Sequence, residues 1–376
     1  LLLFFKKEAL ASIFSLGLFM TVKNTFHALT VEEVRRETRD AVSIRLGVPA
    51  ALADLFVFEA GQYVTLRAEI AGEEVRRNYS LCVSPLDGEL RVAVKALPGG
   101  RFSTYAHQKL AAGDVIEVMP PAGHFVAPVA APGGLYAAFA AGSGITPVLA
   151  IMKTVLGRDS ESRFKLFYGN RTSGDILFLE ALAALKDKYM GRVEVYHFLS
   201  GEESEIALFN GRLDGPKCRE ILEVLVEPAA VKRFFVCGPE GMMAAAETAL
   251  LAAGVAPEAI LLERFTAAAG PVSEAAQAVV REAAGRRMGV LLEGRKSTVP
   301  FDAALGNILD SVRAAGLLAP YACKGGVCAT CRAKLVSGEV DMRVNYGLTP
   351  EEVAQGYILT CQATPRGDDV VISYDV

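Results

Sequence analysis

Four cysteines near the carboxy terminus carry the strongest chemical signal in the sequence. Cys323, Cys328 and Cys331 follow the spacing C-x4-C-x2-C, and Cys361 comes 30 residues later. This is the plant-type ligand pattern of a [2Fe-2S] cluster, in which four thiolates converge on two irons. A loop that turns backbone amides towards the bridging sulfides needs small residues, and Gly325, Gly326 and Ala329 supply them. Zinc is the competing reading. Its sites usually draw on two separated C-x2-C pairs, whereas here a single pair stands with one cysteine upstream and another far downstream.

Three further constellations could hold nucleotides. Arg77-Asn-Tyr-Ser80 offers a guanidinium for a pyrophosphate, an aromatic ring (Tyr79) to stack on a flavin, and a hydroxyl (Ser80) to reach the flavin N5 region. Gly99-Gly100-Arg101-Phe102-Ser103-Thr104 places amides and hydroxyls, among them those of Gly100, Ser103 and Thr104, at a helix start, which favours an anion. Gly142-Ser-Gly-Ile-Thr-Pro147 sits where a strand turns into a helix. Gly142 and Gly144 let the backbone approach a pyrophosphate, with Thr146 and Pro147 opening the helix. It is not the G-x-G-x-x-G fingerprint, and a plain strand–turn–helix corner is the bland alternative. Cys237-Gly238-Pro239 ends a later strand, where the ligand crevice of a parallel sheet lies; Cys237 there faces a nicotinamide or is a buried structural cysteine.

The elements that must position these residues fall into three blocks. From 26 to 130 the pattern is strand-like, as in Gln62–Arg67 and Leu90–Lys95, with one short helical stretch at Phe102–Leu110. That predicts an antiparallel β-barrel. From 131 to 265 apolar runs (Leu135–Ala141, Phe164–Tyr168, Val193–Leu199, Phe234–Cys237) alternate with helix-period segments (Pro147–Leu156, Ile176–Tyr189, Met242–Ala253). Such alternation predicts an α/β domain on a parallel sheet. Residues 266–285 are rich in Ala and Gly, carry little strand signal, and read as a linker that is helical in part. The last block, 286–376, has two strand-like segments around Gly294, a helix near Asn307–Ala315, the cysteine loop, and strands near Arg332 and Val370.

Composition sets limits. The formal net charge of −4 gives no concentrated basic face for nucleic acid. Seven cysteines, four of them in the last 54 residues, suit metal or redox chemistry in a reducing compartment better than disulfides, which points to the cytoplasm. The first 19 residues are apolar, yet have no A-x-A-type cleavage site and are too short and broken to span a bilayer. They read as in-frame residues upstream of a start at Met20, within an extension covering 1–25, and no membrane insertion is expected.

Taken in this order, Arg77–Ser80, Gly142–Pro147 and Cys237–Pro239 resemble the ferredoxin–NADP reductase superfamily, with the cysteine loop as an appended ferredoxin domain. The resemblance covers residues 26–376. It implies a flavin barrel, a nucleotide-binding α/β domain and a β-grasp [2Fe-2S] domain, and it places Phe265 with the cofactor-binding residues. Dioxygenase reductases that use FMN usually carry Pro-Arg-Asn-x-Phe after the last barrel strand. Here Pro121-Ala-Gly-His-Phe125 is similar to the FAD pattern instead.

A narrower likeness rests on Tyr168-Gly-Asn-Arg171, Gly211-Arg-Leu-Asp-Gly215, the loop from Pro320 to Lys334, and Met342-Arg-Val-Asn-Tyr346. These are similar to the reductase components of phenylacetyl-CoA epoxidase complexes, which feed a di-iron oxygenase. The resemblance implies electron flow from NADPH, bound near Cys237, through FAD to the cluster and on to an oxygenase. Arg171, after the second parallel strand, is expected to pair with the 2′-phosphate. Other oxygenases or a fatty-acyl desaturase are alternative acceptors, and a non-enzymatic iron–sulfur scaffold that only senses NADPH is the rival from another class. Residues 286–376 carry ten Lys/Arg and ten Asp/Glu. Free ferredoxins are usually acidic and steer to partners by charge, whereas a neutral tethered domain already has its donor attached.

Overall fold

A computed structural model describes residues 25–127, 133–265 and 273–375. The 1–24 part of the amino-terminal extension and the 266–272 part of the expected linker lie outside the described residues. The chain forms two compact units, one spanning His27–Phe265 and the other containing the carboxy-terminal residues.

The first unit holds two sheets. Strands β1 (His27–Thr38), β2 (Ala41–Gly47), β3 (Tyr63–Ile70), β4 (Glu73–Ser80), β5 (Leu90–Lys95) and β6 (Val115–Val118) form an antiparallel sheet in the order β4-β3-β6-β1-β2-β5. An isolated bridge from Leu81 to Val92 links the residue after β4 with β5, the opposite end of that order. Leu29, Val31, Val64, Leu66, Val92, Val94, Ile116 and Val118 share one core. Helix α1 (Arg101–Gln108) adds Phe102 and Ala106, four residues apart and so on one helical face.

The second sheet is wholly parallel. It comprises β7 (Gly134–Ala141), β8 (Ser162–Asn170), β9 (Val193–Leu199), β10 (Val231–Cys237) and β11 (Ile260–Glu263), in the order β11-β10-β7-β8-β9. The strands carry near-continuous apolar runs because both faces are covered. Helices α2 (Ile145–Arg158) and α3 (Leu179–Lys188) pack on one side, through Val148, Leu149 and Leu182. Helices α4 (Gly215–Val224) and α5 (Glu240–Ala252) pack on the other, through Ile221, Met243 and Leu250. Phe139, Phe164, Phe167, Phe234 and Phe235 are fully buried, each contributing about 1.5–3 kcal/mol of burial free energy. The strand order reverses between β7 and β10, which opens a crevice at their carboxyl ends.

Gly61, just before β3, lies against the backbone after β6 and against helix α2 of the parallel half. Gly61 has φ of +99°, and a Cβ placed on it would lie 1.9 Å from the Phe125 carbonyl oxygen and 3.0 Å from Ile151 Cδ1. Both the left-handed backbone and the missing side chain are therefore required. Gly61→Ala is expected to destabilise this unit by about 2–4 kcal/mol, through αL strain plus overpacking. Urea unfolding followed by circular dichroism checks it, and an unshifted midpoint would contradict the packing.

The carboxy-terminal unit begins with α6 (Glu274–Glu282), capped by Ser273, inside the segment expected to be a linker; Ala283 just beyond it is in the core. Strands β12 (Arg287–Leu292), β13 (Arg295–Pro300), β14 (Arg332–Ser337), β16 (Tyr357–Leu359) and β18 (Val371–Ser373) follow the order β13-β12-β18-β14-β16, with β12 and β18 parallel. A separate pair joins β15 (Val340–Met342) to β17 (Ala363–Pro365). Helix α7 (Ile308–Ala314) closes the core with Ile308, Leu309 and Val312, and α8 (Pro350–Ala354) starts from a Thr349/Glu352 capping box.

Candidate functional site

Arg77–Ser80 occupy the end of β4, where Ser80 pairs with Tyr63 of β3. The Tyr79 ring leans on Phe102 of α1 at 5.4 Å, and burial raises the pKa of its phenol. Arg77 is exposed and donates to the Arg76 carbonyl at 2.7 Å. Ser80 is buried, and among the described residues its hydroxyl has no hydrogen-bond partner. A buried, unmatched hydroxyl is costly unless something absent from the chain itself meets it, and a flavin edge fits that requirement.

Gly100 precedes α1 as its N-cap. The Ser103 hydroxyl is engaged within its own loop, donating to the Gly100 carbonyl at 3.1 Å and accepting from the Leu97 amide at 3.2 Å. What the helix start presents to an anion is therefore chiefly backbone N–H groups, with Thr104 one turn on.

The nucleotide turn lies at the β7–β10 crevice. Gly142 has φ of +53°. A Cβ on Gly144 would lie 2.0 Å from the Cys237 carbonyl oxygen, so only glycine lets the turn rest on the end of β10. The Thr146 hydroxyl donates to the Ser143 carbonyl at 3.0 Å and fixes the turn from within; Thr146 and Pro147 are both buried. The same turn is in contact with β5 of the first sheet, which brings the parallel half of this unit against the antiparallel half.

Cys237 is completely buried, paired in register with Ala140 on one side and Glu263 on the other. Burial pushes its thiol well up, with Glu263 adding to the effect. A buried neutral thiol is a packing surface rather than a nucleophile. Gly238 and Pro239 lead into α5, and Gly238 packs against Met242 and Ala141. Sequence reasoning missed Glu263, whose carboxyl is pushed up to about 8 by desolvation. Phe265 follows β11 and is exposed.

Arg171 comes after β8, exposed, with its Nε 3.3 Å from Asp175 Oδ2. Asp175 also accepts from the Thr172 hydroxyl at 2.8 Å and is held below its usual pKa, first by Thr172 and then by Arg171. The neighbouring Asn170 is buried at the strand end beside the Tyr168 hydroxyl, and among the described residues its amide has no partner at normal hydrogen-bond geometry. This polar side chain at the end of β8 is a second candidate contact for a nucleotide; the sequence offered only the Tyr168–Arg171 likeness as a hint.

In the carboxy-terminal unit Cys328, Cys331 and Cys361 are buried and Cys323 is half-buried. The four thiols influence one another's protonation. Cys328 lowers the pKa of Cys323 by hydrogen bonding, and Cys331 does the same to Cys361. Backbone amides already point at sulfur: Gly325 N–H donates to Cys323 Sγ at 3.3 Å and Cys323 N–H to Cys328 Sγ at 3.4 Å. Lys324, Gly326 and Ala329 all have positive φ, the price of turning those amides inward. Among the described residues no three metal-ligating side chains converge on one point. Four cysteine side chains in one loop region, with backbone amides turned towards sulfur, fit a [2Fe-2S] centre, which takes four thiolates on two irons.

Three family models divide the chain between them. The FAD-binding domain of oxidoreductases matches residues 28–126, the oxidoreductase NAD-binding domain 139–248, and the 2Fe-2S iron–sulfur cluster binding domain 290–366. One component of the 1,2-phenylacetyl-CoA epoxidase of Escherichia coli is 47% identical over 352 residues, covering 93% of this chain and 98% of its own. The chain belongs to the ferredoxin–NADP reductase superfamily, in the branch with a carboxy-terminal [2Fe-2S] domain.

This reductase is thus an electron-transfer flavoprotein that takes FAD, a nicotinamide nucleotide and a [2Fe-2S] cluster. It is also 36% identical to a 3-ketosteroid-9-alpha-monooxygenase ferredoxin reductase component from Mycolicibacterium smegmatis, over 92% of this chain and 96% of that one. Phthalate dioxygenase reductase shares the fold, with a TM-score of 0.57 at 24% identity, over 93% of this chain and 98% of that one. No helix among the described residues is long and apolar enough to cross a membrane.

Proposed function

We propose that the reductase passes electrons from NADPH through FAD to its own cluster and on to a di-iron oxygenase, the oxygenase of a phenylacetyl-CoA epoxidase system in phenylacetate breakdown. The observation that carries this reading is the 47% identity to the epoxidase component over nearly the full length of both chains. We read the first sheet, with its Leu81–Val92 bridge, as the closed flavin barrel, and the β12–β18 sheet with α7 as a β-grasp domain. The cytoplasm is the compartment that suits four reduced thiolates.

When bound, the nicotinamide supplies a hydride, the flavin separates the electron pair, and the cluster carries electrons singly. The chain's own residues bind and orient. Arg77 and the α1 amides take the flavin phosphates, Tyr79 covers the ring and Ser80 meets its edge. Gly142 and Gly144 admit the nucleotide backbone, Cys237 and Phe265 bound the nicotinamide position, and Cys323, Cys328, Cys331 and Cys361 ligate the irons. Purified reductase mixed with the di-iron components and phenylacetyl-CoA tests the partner. Epoxide formation matched to NADPH oxidation is expected, and NADPH oxidation without product, while another oxygenase is supported, would replace that partner.

Preference for NADPH is read from Arg171, an exposed guanidinium just after β8 beside Asp175, which in this reading meets the 2′-phosphate. A charge-assisted pair is worth about 1.5–3 kcal/mol. Arg171→Ala is therefore expected to lower kcat/KM for NADPH about ten- to a hundredfold with ferricyanide as acceptor. The NADH value should hold. An equal fall for both would make Arg171 a loop-supporting residue held by Asp175.

A further inference from the structure

Gln362 directly follows the fourth cysteine and is 5% exposed. Its side-chain oxygen accepts from Arg343 Nε at 3.3 Å and Nη2 at 3.0 Å. Its nitrogen donates to the Lys324 carbonyl at 2.9 Å and to Cys361 Sγ at 3.7 Å. A guanidinium only donates and a carbonyl only accepts, so the two ends of this amide cannot be exchanged. The N–H end is thereby aimed at the sulfur. Arg343 also donates its backbone N–H to the Gln362 carbonyl at 3.0 Å, which holds the residue by main chain and side chain together. Gly326 of the cysteine loop lies against the same side chain, where an added Cβ would come 3.0 Å from Gln362 Cγ.

We propose that Gln362 sets the potential of the cluster through its N–H on Cys361 Sγ, and that Arg343 is the positioning residue that holds that amide in place. The inference rests on reading the four cysteines as the cluster ligands. An N–H directed at a ligand sulfur draws electron density from it and favours the reduced, more negative cluster. The guanidinium on the far end of the amide polarises the N–H further, and its bidentate grip prevents the amide from turning over. The cluster is thereby made an easier acceptor for electrons arriving from the flavin and a milder donor to the next protein.

The test is an anaerobic redox titration of the holoenzyme, following cluster absorption and its EPR signal. Gln362→Met keeps the length of the side chain and removes the donor. At a fixed poise its reduced-to-oxidised ratio is expected to fall about tenfold, a potential lower by about 59 mV for a one-electron couple. Arg343→Gln, at an exposed position, is expected to lower the ratio about threefold, and Arg343→Lys to recover part of it. Wild-type potentials in Gln362→Met and Arg343→Gln with full cluster content would overturn the proposal and reduce both residues to loop packing. If Gln362→Met loses its cluster, Arg343→Gln decides alone, and a wild-type potential in it overturns the proposal. Failure of the underlying reading is distinguishable: an unaltered cluster signal in Cys361→Ser would remove the ligand assignment itself.

Discussion

Cys331→Ser is expected to abolish the [2Fe-2S] visible and EPR signals while leaving flavin bound and reducible by NADPH. The two functions separate because the cysteines lie in the carboxy-terminal unit and the flavin and nucleotide residues in the His27–Phe265 unit, each with its own core. Cys331 is buried beside Cys361, and a hydroxyl in its place is a poor iron ligand, while Cys323, Cys328 and Cys361 are already committed as the other ligands of the proposed cluster. Cytochrome c reduction, which needs single electrons from the cluster, should drop by about two orders of magnitude or more. Ferricyanide reduction directly from the flavin should persist. A normal cluster signal in the variant would refute the assignment of Cys331, and simultaneous loss of flavin would refute the independence of the units.

Cys237→Ala carries the second large effect. The residue lies on β10 between β7 and β11 with its side chain in the core, and its carbonyl sits against Gly144; in the proposed reading it shapes the floor beneath the nucleotide. Burial raises the pKa of the thiol and keeps it neutral, so in the proposed reading the residue positions the nicotinamide and transfers no proton. Loss of the sulfur lets the nicotinamide ring settle out of line, and a displacement of about 1 Å costs about a hundredfold in rate. Flavin reduction in stopped flow is therefore expected to slow about ten- to a hundredfold, with nucleotide affinity changed far less. Traces superimposable on those of the wild type would remove Cys237 from the site.

Much of this organisation is legible in the sequence, for identifiable reasons. Leu135–Ala141 and Phe234–Cys237 are unbroken apolar runs because their strands are covered on both faces, and the glycine turn and Cys-Gly-Pro that follow them fall at the two sides of the crevice. The four cysteines announce themselves by spacing alone. Other features leave no local trace. Strand β11 has only four residues, all half-buried, and α4 opens on Gly215-Pro216, which reads as a turn until Asp214 is seen capping the helix. Helix α6 lies in an Ala-rich stretch whose composition resembles a linker, although Ala283 after it joins the core. Glu263 is one glutamate among many in the sequence; only its register opposite Cys237 distinguishes it. Arg343 and Gln362 are 19 residues apart, and nothing in either segment signals that their side chains meet.

The electron path itself is tested most directly by mixing the oxidised holoenzyme with NADPH under anaerobic conditions and freezing samples over time for EPR. Flavin bleaching followed by a rhombic [2Fe-2S] signal from the same chain, with the signal absent in Cys331→Ser, is the expected result. A reduced flavin beside a cluster that stays oxidised would contradict it, because electrons from the nicotinamide would then stop one step short of the four cysteines.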